Sequence, residues 1–269
     1  VASATPYASK VIVLTGASSG IGRALALALA AQRSRLVLAA RDEERLLEVE
    51  RACRAAGAET LVVPTDVGSH EQSQRLVSRT LAHFGAIDVL VANAGIGMIA
   101  NFEDVEDPLI FERIMRVNYL GAVYPTYYAL SALKSSRGQI VVVSSLAGLT
   151  GVPSRTGYAA SKHAVFGFFD SLRIELRGTG ISVTIVAPDF VVSEIHERAA
   201  GPDGKPLGRS LPGQGFMTAE VCAAQIVKAM TAKKRTLVMS FRGKAGRFVR
   251  LVAPGLIDSI ALRAVTRNR

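Results

Sequence analysis

The chain is poor in cysteine, with only Cys53 and Cys222, both in stretches that read as helix. Neither a disulfide framework nor a C-x-x-C metal site can be built from two such residues. The pattern suits a reducing, cytoplasmic compartment. The four histidines (His70, His83, His163 and His196) show no ligand spacing, so no metal is expected. No run of about 18 apolar residues occurs, so no spanning helix is expected. Arg250 and Asp258 interrupt the best candidate. Val1 to Lys10 lacks an apolar stretch behind a basic start, so no signal peptide is read there, and the chain begins without Met. No internal repeat of solenoid period is visible.

Acid is scarce in one region. The net charge is +10, yet residues 1–227 balance 21 Lys and Arg against 21 Asp and Glu. Residues 228–269 hold eleven Lys and Arg and one acid, Asp258. The excess is therefore local, which points to a local anionic partner. Nucleic acid is not that partner, because no recognised binding module accompanies the charge. With 49% hydrophobic and 20% charged residues over 269 positions, the chain can bury a substantial core and is not disordered.

Residues 1–190 alternate strand-like and helix-like segments. Lys10–Leu14, Arg35–Ala39, Thr60–Val63, Ile87–Val91, Gln139–Val143, Ile181–Val186 and Thr236–Met239 read as strands. Between them lie an Ala/Leu-rich helix to Gln32, then Glu43–Ala56, His70–Phe84, a long helix Pro108–Leu133, and Thr156–Arg177. Thr218 caps a last helix to Ala232. Continuous apolar strands between helices imply an α/β fold with a doubly wound parallel sheet, Rossmann-like, in a single domain. Residues 189–217, rich in Pro and Gly, read as a long functional loop. The catalytic domain is assigned to 1–240 and a basic amphipathic tail to 241–269.

Thr-Gly-Ala-Ser-Ser-Gly-Ile-Gly, from Thr15 to Gly22, follows the first strand and opens the first helix. Gly16, Gly20 and Gly22 permit a tight turn and close backbone approach to a pyrophosphate. Ser18, Ser19 and Ile21 complete the loop, and the helix N-terminus offers N–H donors to phosphate. Strand two ends Ala39-Ala40-Arg41, without the carboxylate that usually binds a ribose 2′-hydroxyl. Arg41 is suited to a 2′-phosphate through paired hydrogen bonds, with Arg23 adding charge. NADP(H) is therefore favoured over NAD(H). The bland alternative makes Arg41 a solvated helix-entry residue, and Asp42 is explained by the dipole of the helix that follows.

Further along stand Asp66-Val67, Asn93-Ala94-Gly95-Ile96, Asn118, Ser144-Ser145, Tyr158-x-x-x-Lys162 and Pro188-Asp189-Phe190-Val191-Val192-Ser193. In these motifs the chain resembles the short-chain dehydrogenase/reductase family, in its single-domain branch, over residues 10–240. The resemblance implies Asp66 and Val67 at an adenine and Asn93, Ala94 and Gly95 beneath the cofactor. It adds Pro188 and Ser193 as cofactor-binding positions. Ser145, Tyr158 and Lys162 are implied as the catalytic set, with Asn118 in a water-linked proton relay. Ser144-Ser-Leu-Ala-Gly148 is similar to hydroxysteroid-dehydrogenase-like members. Asp189 departs from the Pro-Gly common at this place in the family, while Ser193 keeps a hydroxyl.

The chemistry suits those residue types. Tyr158 and Lys162 are four apart and share a helix face. A free phenol titrates at about 10, and a nearby ammonium favours its ionised form. The tuned phenol then donates to a carbonyl or accepts from an alcohol, while Ser145 holds the substrate oxygen. The resemblance also implies Lys162 as a holder of the nicotinamide ribose. The expected activity is hydride transfer between NADP(H) and an apolar small-molecule carbonyl or alcohol substrate. The other reading is a cofactor-binding scaffold or redox sensor with little turnover.

Phe190, Val192, Ile195, Leu207, Leu211 and Phe216 are expected as an apolar substrate wall, or as residues that pack on the core. In the tail, arginines up to Arg267 and Arg269 interleave with apolar residues, and Pro254-Gly255 divides two helical pieces. Three roles stay open for it: an anionic membrane surface, a subunit interface, or plain solvation. The resemblance implies a homodimer or homotetramer through helices near 107–133 and 155–177.

Overall fold

The computed structural model of the chain describes residues 5–208 and 216–266. Leu211, Pro212, Arg267 and Arg269 lie outside the described residues.

Seven parallel strands form one sheet in the order β3-β2-β1-β4-β5-β6-β7. They are β1 (Val11–Thr15), β2 (Arg35–Ala40), β3 (Glu59–Pro64), β4 (Val89–Ala92), β5 (Gln139–Val143), β6 (Ser182–Ala187) and β7 (Thr236–Val238). Their β-branched residues alternate between two cores. Ile12 and Leu14 join one with Leu25, Leu36 and Ile226; Val13 joins the other with Leu90, Ile140 and Phe169. The first core is covered by α1 (Gly20–Ala30), α2 (Glu43–Ala55) and α7 (Ala219–Thr231). The second is covered by α3 (His70–Phe84), α5 (Gly121–Ser136) and α6 (Thr156–Glu175). Both faces are thus buried, as continuous apolar strands require.

Chain order reverses at β1, which pairs with β2 on one side (Leu14 beside Leu38) and with β4 on the other (Leu14 beside Val91). A crevice opens where the chain departs in opposite directions, at the carboxyl ends of these strands.

One expected element is more elaborate than its periodicity suggests. The long helix starting at Pro108 consists of α4 (Leu109–Met115), a π-helical turn at Arg116–Leu120, and α5. A π turn inserts one residue and rotates the face that follows, and such turns gather at functional sites. The tail forms α8 (Phe241–Val252) and α9 (Pro254–Thr266), divided at Ala253 before Pro254-Gly255. Among the described residues no helix is long and apolar enough to cross a membrane.

Candidate active site

The crevice is built around a clasp between β1 and β4. Thr15 Oγ1 accepts from the backbone N–H groups of Asn93 (3.0 Å) and Ala94 (3.2 Å). Asn93 Nδ2 donates to the carbonyls of Thr15 (3.0 Å) and Gly16 (3.2 Å). Gly16 has φ +67°, and a Cβ there would sit 2.8 Å from Ala94 Cα. At Gly22 a Cβ would lie 2.0 Å from the Gly16 carbonyl oxygen, so no other residue fits. Ser193 approaches the loop from across the groove, its Cβ 3.1 Å from where a Cβ on Gly20 would stand.

The first turn of α1 is left open. Asp42, Ser69, Thr218 and Ser240 each cap the helix they precede with a side-chain oxygen. Ser19, at the corresponding place before α1, makes no such bond. Its orphan N–H groups face a groove lined by Gly16, Ser18 to Gly22 and Asn93 to Gly95. The groove measures about 1610 Å³. That exceeds the roughly 300–1,000 Å³ of a pocket for one drug-sized ligand, and leaves room for a dinucleotide and a substrate together.

At the far end lie Arg41, Asp42, Asp66 and Val67. Asp42 is already engaged: one carboxylate oxygen accepts from Arg45 N–H at 3.1 Å and the other pairs with the Arg45 guanidinium at 3.4 Å. Arg41 is exposed. Arg23, expected to support it, instead lines a neighbouring cavity with Glu44, Glu48 and Glu220. Asp66 Oδ1 accepts from Gly68 N–H (2.9 Å), and Val67 packs so tightly on Gly121 that a Cβ there would be 2.6 Å from Val67 Cγ2.

The other end holds the acid/base candidates. Ser145 ends the strand-to-helix turn after β5, and its Oγ accepts from Ala147 N–H at 3.2 Å. Ser144 Oγ donates to the Lys162 carbonyl at 3.1 Å, tying this turn to α6. Gly148 makes the close approach possible, because a Cβ there would be 2.7 Å from the same carbonyl. Lys162 is buried, and its Nζ donates to the Val143 carbonyl at 3.0 Å and lies 5.7 Å from the Tyr158 ring centroid. Burial with no acid beside it pushes the ammonium down to about 8.

Tyr158 differs from the electrostatic expectation. Burial raises its phenol above the usual value, and the groups that hold it back are the Ser145 hydroxyl and the Arg155 charge. Lys162 is not one of them: its Nζ is turned to the Val143 carbonyl, and its burial already weakens the ammonium. Asn118 also differs, since its amide is not spare. Its Oδ1 accepts from Ile96 N–H (2.8 Å), and its Nδ2 donates to the Ile96 carbonyl and to Ser161 Oγ, both at 3.0 Å. Ser161 in turn donates to the Tyr158 carbonyl at 2.7 Å. The π turn thus aims Asn118 so that it fastens the loop after β4 to α6.

The match to known proteins follows this architecture. The family described as short chain dehydrogenase matches residues 10–202. The chain belongs to the short-chain dehydrogenase family. A dehydrogenase/reductase SDR family protein 7-like protein of Dictyostelium discoideum is 35% identical over 258 residues, covering 94% of this chain and 80% of the relative. An 11-beta-hydroxysteroid dehydrogenase of Pinus massoniana is 35% identical over 257 residues, covering 93% and 72% respectively. Among solved structures, a short chain dehydrogenase/reductase from Burkholderia phymatum in complex with NAD superposes with a TM-score of 0.83 at 28% identity, over 93% of this chain and 95% of that one. An alcohol dehydrogenase from Thermococcus sibiricus complexed with 5-hydroxy-NADP gives 0.72 at 28% identity, over 85% and 93%.

In this short-chain dehydrogenase the residues singled out in the sequence, from Gly16 to Ser193, do converge on one groove, with Asn118 one layer behind it. Of the expected apolar wall, Phe190, Ile195, Leu207 and Phe216 line the groove. Val192 is exposed and lines the neighbouring cavity instead. Two features escaped the sequence reading. Arg155 enters the groove as the residue before α6, three places ahead of Tyr158, where spacing carried no signal. The tail also reaches the site, through Arg242, Gly243, Arg247 and Ile260. Arg242 pairs with Asp189 at 2.6 Å, and Gly243 sits against Leu146, so the unusual Asp189 anchors α8.

Proposed function

We propose that the chain transfers hydride between NADP(H) and an apolar carbonyl or alcohol substrate, with Tyr158 as acid/base. The convergence of Ser145, Tyr158 and Lys162 at one end of a groove that runs past an uncapped helix N-terminus carries this reading. A bound nicotinamide supplies or takes the hydride. The Gly16–Gly22 loop and the first turn of α1 fit a pyrophosphate, by their open N–H donors and lack of Cβ atoms. Arg41 is the residue for a 2′-phosphate, since Asp42 is occupied in capping α2. The neighbours bound to NAD and to an NADP analogue support a dinucleotide and leave the choice to Arg41.

In reduction, Ser145 Oγ holds the carbonyl oxygen while Tyr158 delivers its proton as charge grows there. A phenol kept above its usual value by burial is a ready donor in this direction. Lys162 keeps a positive charge below pH of about 8 and steadies the nicotinamide ribose. Asn118 holds α6 in register and stands behind Lys162 for proton resupply. The relatives named as 11-beta-hydroxysteroid dehydrogenases support a substrate of the hydroxysteroid kind.

The assay is NADPH oxidation against a panel of carbonyl compounds. Tyr158→Phe is expected to reduce turnover by roughly 10²-fold or more while leaving NADPH binding intact. Retained turnover would reject the acid/base role. No turnover by the wild type on any carbonyl would favour the scaffold reading, against which the intact catalytic set speaks. The two thiols add no redox chemistry to that alternative, because burial raises Cys53 to about 11 and Cys222 to about 12. Titrating NADPH and NADH checks cofactor choice: Arg41→Ala is expected to weaken NADPH about tenfold and to leave NADH unchanged. Equal wild-type affinities would defeat the NADP assignment.

Assembly into a dimer or tetramer through α5 and α6 belongs to the same proposal, supported by Tyr127 and Ile174 exposed on them. A cytoplasmic enzyme that also visits anionic membranes is supported by α8, where Phe241, Phe248 and Leu251 are exposed among basic residues.

A further inference from the structure

Arg155 is in an expensive place. It is partly buried in the substrate end of the groove, and burial pushes its guanidinium below the usual value. It stands at the N-terminus of α6, the positive end of the helix dipole, where a cation is disfavoured. Among the described residues no carboxylate pairs with it. The Tyr158 phenol is the group that favours its charge. What it does have is the face of Phe190, whose ring centroid is 5.9 Å from the guanidinium carbon. Phe190 is itself held in place, stacked on Phe216 with centroids 4.9 Å apart.

The surrounding charges leave Arg155 free. Asp189 is neutralised by Arg242, and Glu194 is shared by Arg45 and Arg198. Asp104, at the rim, accepts from Asn101. His196 is kept neutral, pushed down to about 4 by burial and by Arg155 itself. Arg247 of α8 lines the same end and also pairs with no acid among the described residues. A partly buried cation with its neighbouring acids engaged elsewhere is stabilised when a ligand brings the counter-charge.

Resting on the proposed oxidoreductase reading, we infer that Arg155 recognises an oxyanion carried by the substrate within a few bonds of the reacting carbonyl. A carboxylate or a phosphate satisfies the planar donor fork of a guanidinium, with Arg247 at the rim as a second cation. Phe190, Leu207, Phe216 and Ile260 then enclose an apolar remainder. The predicted substrate class is an amphiphilic keto compound with an acidic group, rather than a wholly neutral ketone.

The test uses the full chain loaded with NADP⁺, so that the phosphate loop is already filled. Octanoate, octyl phosphate and octanol are titrated calorimetrically into the wild type, Arg155→Gln and Arg155→Lys. At least one of the two anions is expected to bind about tenfold or more tightly than octanol to the wild type. Which anion wins tells carboxylate from phosphate. Arg155→Gln is expected to lose the preference and Arg155→Lys to keep part of it. Turnover of 4-oxodecanoate against its methyl ester, and of 1-hydroxy-2-decanone phosphate against 1-hydroxy-2-decanone, should show the same ratios. Equal binding of anion and alcohol by the wild type overturns the inference. So does an Arg155→Gln variant that keeps the preference, or that shifts only the pH profile. Absence of turnover on all four ketones counts against the oxidoreductase reading instead, and leaves the calorimetric result to decide the anion site.

Discussion

Lys162 shows how a single side chain is held at a cost to the fold. Its folded value of about 8 lies below the unfolded value of 10.5, because the ammonium is buried with only the Val143 carbonyl to receive it. Between those two values the unfolded chain binds more protons, so stability rises with pH across that window. Below it the penalty is fully present, roughly 3 kcal/mol at about 1.4 kcal/mol per tenfold in proton affinity. Lys162→Met is therefore expected to unfold at a higher temperature than the wild type at pH 7, with the gap closing toward pH 10, and to lose activity. A variant less stable at pH 7 would show that the hydrogen bond outweighs the burial. For the wild type, kcat/KM for carbonyl reduction should fall above pH of about 8 as the ammonium is lost. The residue pair Tyr158 and Lys162 was legible only together with the other family motifs, because that spacing by itself is common on amphipathic helices. The guanidinium that acts on the phenol was not, because Arg155 precedes the helix and joins the site through the groove, not through helix periodicity.

At the scale of elements, the loop from β1 into α1 is a fit of backbone to backbone. The run of glycines signalled the turn, and the structure supplies the reason in distances. Gly22→Ala would drive a methyl group against the Gly16 carbonyl oxygen, 2.0 Å away, with no side chain able to yield. The loop must shift, at a cost of roughly 1–3 kcal/mol or more. Thermal unfolding should register that loss, and dinucleotide affinity should fall at least as steeply because the same carbonyl clasps Asn93. A variant that binds cofactor normally would mean that the turn has another open conformation. The long helix after Pro108 was readable as helix. Its π turn was not, since one inserted residue barely alters the apolar spacing while it redirects Asn118.

The whole molecule brings α8 and α9 back to the groove. Sequence alone left the tail between membrane, interface and solvent, because an amphipathic basic helix suits all three. The structure lays α8 along Leu146 and Val238, joins it through Arg242 to Asp189 and through Arg250 to the Leu149 carbonyl, and places α9 over the groove. Deleting residues 241–269 is expected to raise KM for an apolar carbonyl substrate about tenfold while changing NADPH affinity less than about threefold, because α8 and α9 line the groove away from the Gly16–Gly22 loop. An unchanged KM would remove the tail from the site. Co-sedimentation with anionic liposomes, with and without the same residues, tests the surface role of the exposed apolar face. Membrane binding indifferent to the tail or to lipid charge would reject it.

Strand and helix order, the parallel sheet, the glycine turn after β1 and the family all followed from the sequence, since each depends on local periodicity or on short motifs whose glycines have no substitute. Tertiary structure alone decided what meets across long separations. It set Arg155 before Phe190, Asp189 against Arg242, Thr15 under Asn93, and α8 and α9 against the groove. Those contacts arise from the way a twisted sheet brings the carboxyl ends of distant strands to one crevice, and no spacing along the chain encodes that distance.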